Sequence, residues 1–175
     1  MRIEDFESLL GVPPYVANPL HSDWSEFEDF VGRALPVDYK EFVSSYGPCC
    51  LSGTLLIFHP KASQGDTSLN LFEEVQLAGG QYEKLKRTPY YEVPYPIHPD
   101  PHGCIPVART SGGNQIFLLP PKGAEDEWNV VMDMGEWVNF PSGFTYFLHE
   151  ALSGNLHVPF LQEEEPSFEP VGFLN

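Results

Sequence analysis

The segment Leu35-Pro36-Val37-Asp38-Tyr39-Lys40-Glu41-Phe42-Val43-Ser44-Ser45-Tyr46-Gly47 constrains this chain most. Pro36 has the fixed φ and missing N–H that suit a first helical residue. Tyr39, Phe42, Val43 and Tyr46 recur at i, i+3, i+4 and i+7, the spacing of one buried helical stripe. Gly47 then predicts a left-handed cap, and Pro48 forbids the helix from continuing. A helix carrying three large rings on one face needs a broad apolar surface to lie on. The rest of the sequence must supply it.

The neighbouring segments supply it in order. Ile3, Phe6, Leu9 and Leu10 predict a short opening helix that ends at Gly11. Trp24, Phe27, Phe30 and Val31 predict a second, with Ser22 or Asp23 as its N-cap. Thr54–Phe58 reads as a buried strand, and Leu71 to about Arg87 as a helix with Gly79-Gly80 inside it. Residues 89–101 hold five prolines, so they fit neither a regular helix nor a central strand. Strands are predicted over Cys104–Ala108, Gln115–Leu119, Trp128–Asp133 and Trp137–Phe140, the first two joined by a Gly112-Gly113-Asn114 turn. Phe144, Phe147, Leu148, Ala151 and Leu152 give a last amphipathic helix ended by Gly154. Beyond it, Glu163-Glu164-Glu165 and Glu169 read as a solvated tail whose beginning, Leu156–Phe160, has the composition to be ordered. Helices first, a meander of strands and a closing helix predict a single α+β domain over 1–154 with an acidic tail over 155–175. Its central, mostly antiparallel sheet would be packed by the N-terminal helices and a C-terminal helix.

Charge narrows the function. The chain carries 25 Asp plus Glu against 9 Lys plus Arg, a formal net charge of −16. Nucleic acid and anionic membranes are poor partners for such a surface, since binding either takes clustered Lys and Arg. Such a surface would attract a basic protein partner instead, although charge alone favours the plainer reading of solubility. The three cysteines make no disulfide framework, and the acidic opening residues form no signal peptide. No apolar run approaches the ~18 residues that span a bilayer. The expectation is a cytoplasmic protein.

Trp24 followed by the Leu35–Gly47 segment resembles the signature of the SUKH superfamily, of the Smi/Knr type. A Gly112-Gly113 hairpin, the strand Trp128-Asn129-Val130-Val131 and the closing Phe144–Leu148 helix are similar to that superfamily's second half. The resemblance covers roughly residues 24–154. It implies an α+β fold and protein binding without catalysis. Bacterial members are mostly immunity proteins that neutralise toxin domains, many of them acting on nucleic acid. Some eukaryotic members are regulatory scaffolds. No catalytic residue is implied, and Leu35, Pro36, Tyr39, Phe42, Tyr46 and Gly47 carry a structural role.

Candidate chemistry is sparse. His98, Asp100, His102 and Cys104 alternate as metal-capable side chains, but their spacing matches no zinc pattern and no CxxC or HExxH accompanies them. A polar loop leading into a strand is the better reading, with no cofactor. Cys49 and Cys50 follow a helix C-terminus, where the dipole disfavours a thiolate, so they read as packing residues. Binding has better material. Glu125, Asp126 and Glu127 precede Trp128, and Asp133 and Glu136 lie one hairpin away beside Trp137. Acids steer a basic partner while rings supply buried area. The two Trp residues are favoured as core, whereas the acids serve binding or solvation equally. Tyr90 and Tyr91 stand in the Pro-rich stretch, where a rigid backbone lowers the entropy lost on binding. The function expected is neutralisation of a basic toxin domain by direct binding, with a regulatory scaffold as the alternative.

Overall fold

A computed structural model of the chain describes residues 1–15, 23–63, 68–123, 127–161 and 165–171. The opening stripe forms a 3-10 turn, Ile3–Phe6, that runs into the short helix α1, Glu7–Leu10. Helix α2, Ser25–Val31, starts behind Asp23, whose carboxylate accepts from the Ser25 N–H at 3.2 Å and its hydroxyl at 2.6 Å. Ser22, the other predicted cap, lies outside the described residues. Trp24, Phe27 and Val31 face inward, while Phe30 stands at the rim against Phe72 and His98.

Helix α3, Val37–Tyr46, begins one residue later than Pro36 predicts, because Pro36 itself is extended (φ −60°, ψ 139°). Tyr39, Phe42, Val43 and Tyr46 are fully buried as one stripe. Gly47 corrects the expectation of a left-handed cap: it is extended (φ −85°, ψ 159°). Glycine is needed there for close approach, since a Cβ would lie 3.0 Å from both the Val43 carbonyl oxygen and its Cγ1.

That extended exit leads straight into β1, Cys49–Leu51, a strand the sequence reading treated as packing residues in a loop. β2, Leu55–Ile57, pairs beside it. Helix α4, Leu71–Leu85, then crosses to β3, Ile105–Thr110, followed by β4, Gln115–Leu119, β5, Asn129–Asp133, β6, Trp137–Phe140, and helix α5, Phe144–Leu152. A last strand β7, Phe168–Pro170, pairs with β1. All pairs are antiparallel, in the order β6-β5-β4-β3-β2-β1-β7.

β7 corrects the reading of 155–175 as a solvated tail. Phe168 seats its ring 5.6 Å from Tyr46, and the Val171 N–H donates to the Pro48 carbonyl at 3.0 Å. An otherwise unpaired edge of β1 gives this short segment its backbone partners. Val158 is buried and Leu156 and Phe160 pack on the core, so the predicted ordered beginning is present. Glu163 and Glu164 lie outside the described residues.

Alternation along β4 and β5 divides the interior. Ile116, Leu118, Val130 and Met132 join Phe6, Phe27, Phe42, Phe144 and Phe147 in the larger cluster, which covers the first face of the sheet. Phe117 and Val131 point to the second face, under Ala78 and Tyr82 of α4 and Tyr91, Val93 and Tyr95 of the Pro-rich stretch. The expected packing by the N-terminal helices and the C-terminal helix is found on the first face, while α4 and the Pro-rich stretch cover the second. Gly79 makes the second layer fit: a Cβ there would come 2.8 Å from the His98 carbonyl oxygen. The Asn70 side chain caps α4 by accepting from the N–H groups of Phe72 and Glu73, a contribution of ~1 kcal/mol.

Candidate functional site

Register lines up one residue from each strand: Glu169, Cys50, Leu56, Arg109, Gln115, Asp133 and Trp137 lie directly opposite their neighbours in turn. Directly opposed residues of antiparallel strands share a face, so these seven form one row across the sheet. They lie on the second face, because Gln115 and Asp133 stand two positions from Phe117 and Val131. From Arg109 to Trp137 the row is polar or amphipathic, where packing against α4 would predict apolar residues.

At the β5–β6 end, Asp133 is only 8% exposed. Its carboxylate accepts from the Tyr82 hydroxyl at 2.5 Å and from the Gly135 N–H at 3.0 Å, with the Tyr91 side chain packed nearby. Burial, then the Asp133 acceptor, pushes both tyrosines well above their ordinary pKa. Trp137 stacks on Phe117 and meets Tyr82 and Tyr95 at 5.6 Å. Its buried indole N–H faces the Tyr91 hydroxyl without an aligned hydrogen bond.

The centre of the row is less satisfied. The Glu74 carboxylate, 7% exposed, lies 3.2 Å from Arg109 Nε, an ion pair without hydrogen-bond alignment. Burial raises the Glu74 pKa, against the opposing pull of Arg109. Gln115 is 8% exposed, and its Oε1 has no hydrogen-bond donor among the described residues. Buried polar atoms in native proteins are almost always paired, so an orphan needs a reason. Of four such atoms among the described residues, three (Arg109 Nε, Gln115 Oε1 and Trp137 Nε1) stand on this one row. An open groove of about 1150 Å3 runs between α4 and the row, with Glu74, Leu77, Gln81, Lys84, Arg109 and Gln115 on its walls. A smaller groove beside Trp24 and Glu28 has its polar groups engaged. Glu28 accepts from Lys40 and from the Leu35 N–H, and the Trp24 indole donates to Ser44.

The residues singled out from sequence divide accordingly. Tyr90 is 98% exposed, and Glu136 is exposed on the β5–β6 turn. The Tyr95–Trp137 ring contact brings the Tyr loop and the acidic hairpin together, two segments the sequence offered separately. Asp133 itself is corrected from surface acid to buried anchor, because the Tyr82 hydroxyl and the Gly135 N–H need its oxygens. Glu127 is exposed before β5, at the far end from Asp133, roughly 20 Å along the strand. Glu125 and Asp126 lie outside the described residues. Trp128 packs against the larger cluster and Trp137 against the smaller, as expected of core residues.

Arg109, Gln115 and Glu74 were missed, yet signals existed. Glu74 falls on the apolar stripe of α4 beside Leu71, Val75 and Ala78. Gln115 begins a strand whose i+2 residue, Phe117, is buried. Both are polar residues at apolar positions.

The cysteines and histidines form no metal centre: no group of three or more His, Cys, Asp or Glu is placed to hold one among the described residues. Residues 96–104 instead close a backbone-bonded turn, the Cys104 N–H donating to Pro96 at 2.7 Å and the His98 N–H to Cys104 at 3.0 Å. Burial, then the charge of Arg33, lowers the His98 pKa. Burial pushes the Cys104 thiol up to about 12 and raises Cys49 and Cys50 as well, so all three stay protonated at neutral pH. No helix of the described residues is long and apolar enough to cross a membrane.

A model of the SMI1 / KNR4 family (SUKH-1) matches residues 19–150. No curated protein and no solved structure matches the chain.

Proposed function

Because the chain belongs to the SMI1 / KNR4 family (SUKH-1), we propose that it acts by binding another protein, as an immunity protein that neutralises a basic toxin domain. The observation that carries this reading is the rim formed by the Pro-rich loop and the β5–β6 turn. There Tyr90 stands fully exposed, with Glu92 and Glu136 exposed nearby, on a chain of net charge −16. The loop is held from beneath by Tyr91, Val93 and Tyr95, which pack on the smaller cluster, so Tyr90 loses little further freedom on binding. Acids on the rim draw a basic partner in, and the ring fills contact area once it arrives. A partner that acts on nucleic acid holds phosphates with cations. A carboxylate surface competes for those cations and occludes its active site.

The test is an affinity pull-down of the tagged chain from its native lysate, at low and high salt, read by mass spectrometry. Salt-sensitive recovery of one basic, nuclease-like domain is the expected result. Its activity would then be assayed with and without the chain. Recovery of metabolic, envelope or signalling proteins alone would replace this reading with a regulatory scaffold, and the acidic surface would be a solubility device.

A further inference from the structure

We propose that the groove beside α4 holds an uncharged, extended segment of a partner polypeptide, anchored by an amide donor to Gln115 Oε1 and an apolar side chain on Leu77. The inference rests on the reading of the chain as a protein binder, and is independent of whether the partner is a toxin. Gln115 supplies its first support. A buried acceptor without a donor, on the wall of an open groove, is stabilised by whatever brings one. Leu77 supplies the second: it is 65% exposed on the same wall, apolar area left uncovered beside a polar floor.

Charge selects the occupant. The groove carries Glu73 and Glu74 against Lys84 and Arg109, so it is balanced on a chain that is otherwise strongly acidic. An entering cation meets Arg109 and Lys84, and an entering anion meets the two glutamates. A neutral group meets no like charge. The remaining polar lining, Gln76, Gln81 and Thr88, can both give and take hydrogen bonds, as the N–H and C=O groups of an extended backbone require. The volume of about 1150 Å3 exceeds the ~300–1,000 Å3 typical of small-molecule sites, and the groove is open to solvent. A chain segment fills it better than a metabolite does. The groove also joins the rim already described, since Gln115 pairs directly with Asp133.

The experiment pans a phage-displayed library of random dodecapeptides against the full chain, then measures synthetic copies of the enriched peptides by calorimetry and by NMR of the Gln115 side-chain amide. Enrichment of uncharged sequences that shift that amide is expected, with affinity unchanged between low and high salt. Gln115→Leu and Leu77→Ser should each weaken binding about ten-fold or more, while Gln115→Leu leaves thermal stability equal or higher, which a merely structural role would not. Leu77→Ser lies at the surface and keeps the test decisive if Gln115→Leu disturbs folding. No enrichment, charged and salt-sensitive peptides, or binding undiminished in both variants would overturn the proposal. So would a self-association that Gln115→Leu abolishes, since the groove would then serve a second copy. A basic partner captured equally by parent and variants, with no peptide enriched, would overturn this inference and leave the immunity reading standing.

Discussion

The two faces of the sheet are built from the same strands, one residue apart, and differ in what they leave undone. On the first face Ile116, Leu118, Val130 and Met132 meet a layer of phenylalanines. There one orphan polar atom, the Tyr39 hydroxyl, is buried among the described residues. On the second face Arg109, Gln115, Asp133 and Trp137 sit beneath α4 and the Pro-rich loop with three orphans among them. Packing is a sufficient account of the first face, where nearly every group found its partner within the fold. It does not account for the second, which keeps hydrogen-bonding capacity desolvated and unspent. Packing is complete on one side of the ladder, and the unpaired polar groups gather on the other.

That division breaks if the first face proves tolerant. Phe42→Ala should cost about 3–5 kcal/mol, measured as the urea midpoint, because its ring stacks between Phe6, Tyr46 and Phe144 with no exposure. A loss below that of any change on the polar row would reverse the assignment.

Alkaline pH attacks both faces and tests their burial together. Burial, then Glu7, pushes Tyr46 up to about 12, and burial does the same for Cys104 on the second face. Both folded pKa values lie above the unfolded ones, so folding favours the protonated forms. Their contribution is whole below about pH 9 and is lost as pH climbs toward 12. Unfolding free energy measured from pH 8 to 12 should fall steadily, and a flat profile would show these groups to be solvated.

Asp133→Ala should cost about 2–3 kcal/mol by leaving the buried Tyr82 hydroxyl and the Gly135 N–H without their acceptor, and should shift Trp137 emission to the red as the β5–β6 turn loosens. Unchanged emission would mean that the turn is held by other contacts. Gln115→Leu sharpens the comparison from the opposite side: removing an orphan acceptor should raise stability by about 1 kcal/mol, whereas a loss would reveal a partner for Gln115. Glu136→Gln is the mildest, within ~0.5 kcal/mol for stability. Its effect belongs in the salt dependence of partner association, and an unaltered salt slope would remove Glu136 from the rim.

What could be read in advance follows the range of the forces involved. The stripe of α3, the bounds of α5 and the strand Gln115–Leu119 depend on neighbours three or four positions away at most, and each lies where its period placed it. β1 and β7 could not be read that way. Three residues carry no period: β1 is held between β2 and β7, and β7 exists because β1 offers it an edge. Gly79 was legible as a glycine, but its role is to admit the His98 carbonyl, a contact no local pattern announces. The same holds for the site. Tyr90, Tyr91 and Glu136 were visible as residue types, while the burial of Asp133 and the polar row emerged only from the register of seven strands.

The closing of the sheet by β7 has a consequence in time. The β1 edge leaves the ribosome long before Phe168–Pro170 exist to cover it, and the Thr54 hydroxyl waits 106 positions for the Phe160 carbonyl that receives it. A nascent chain therefore carries an open strand edge through most of its synthesis, at the stage when neighbouring chains on a polysome are closest. The acidity of the chain, a net charge of −16, would in that interval hold its own unfinished copies apart.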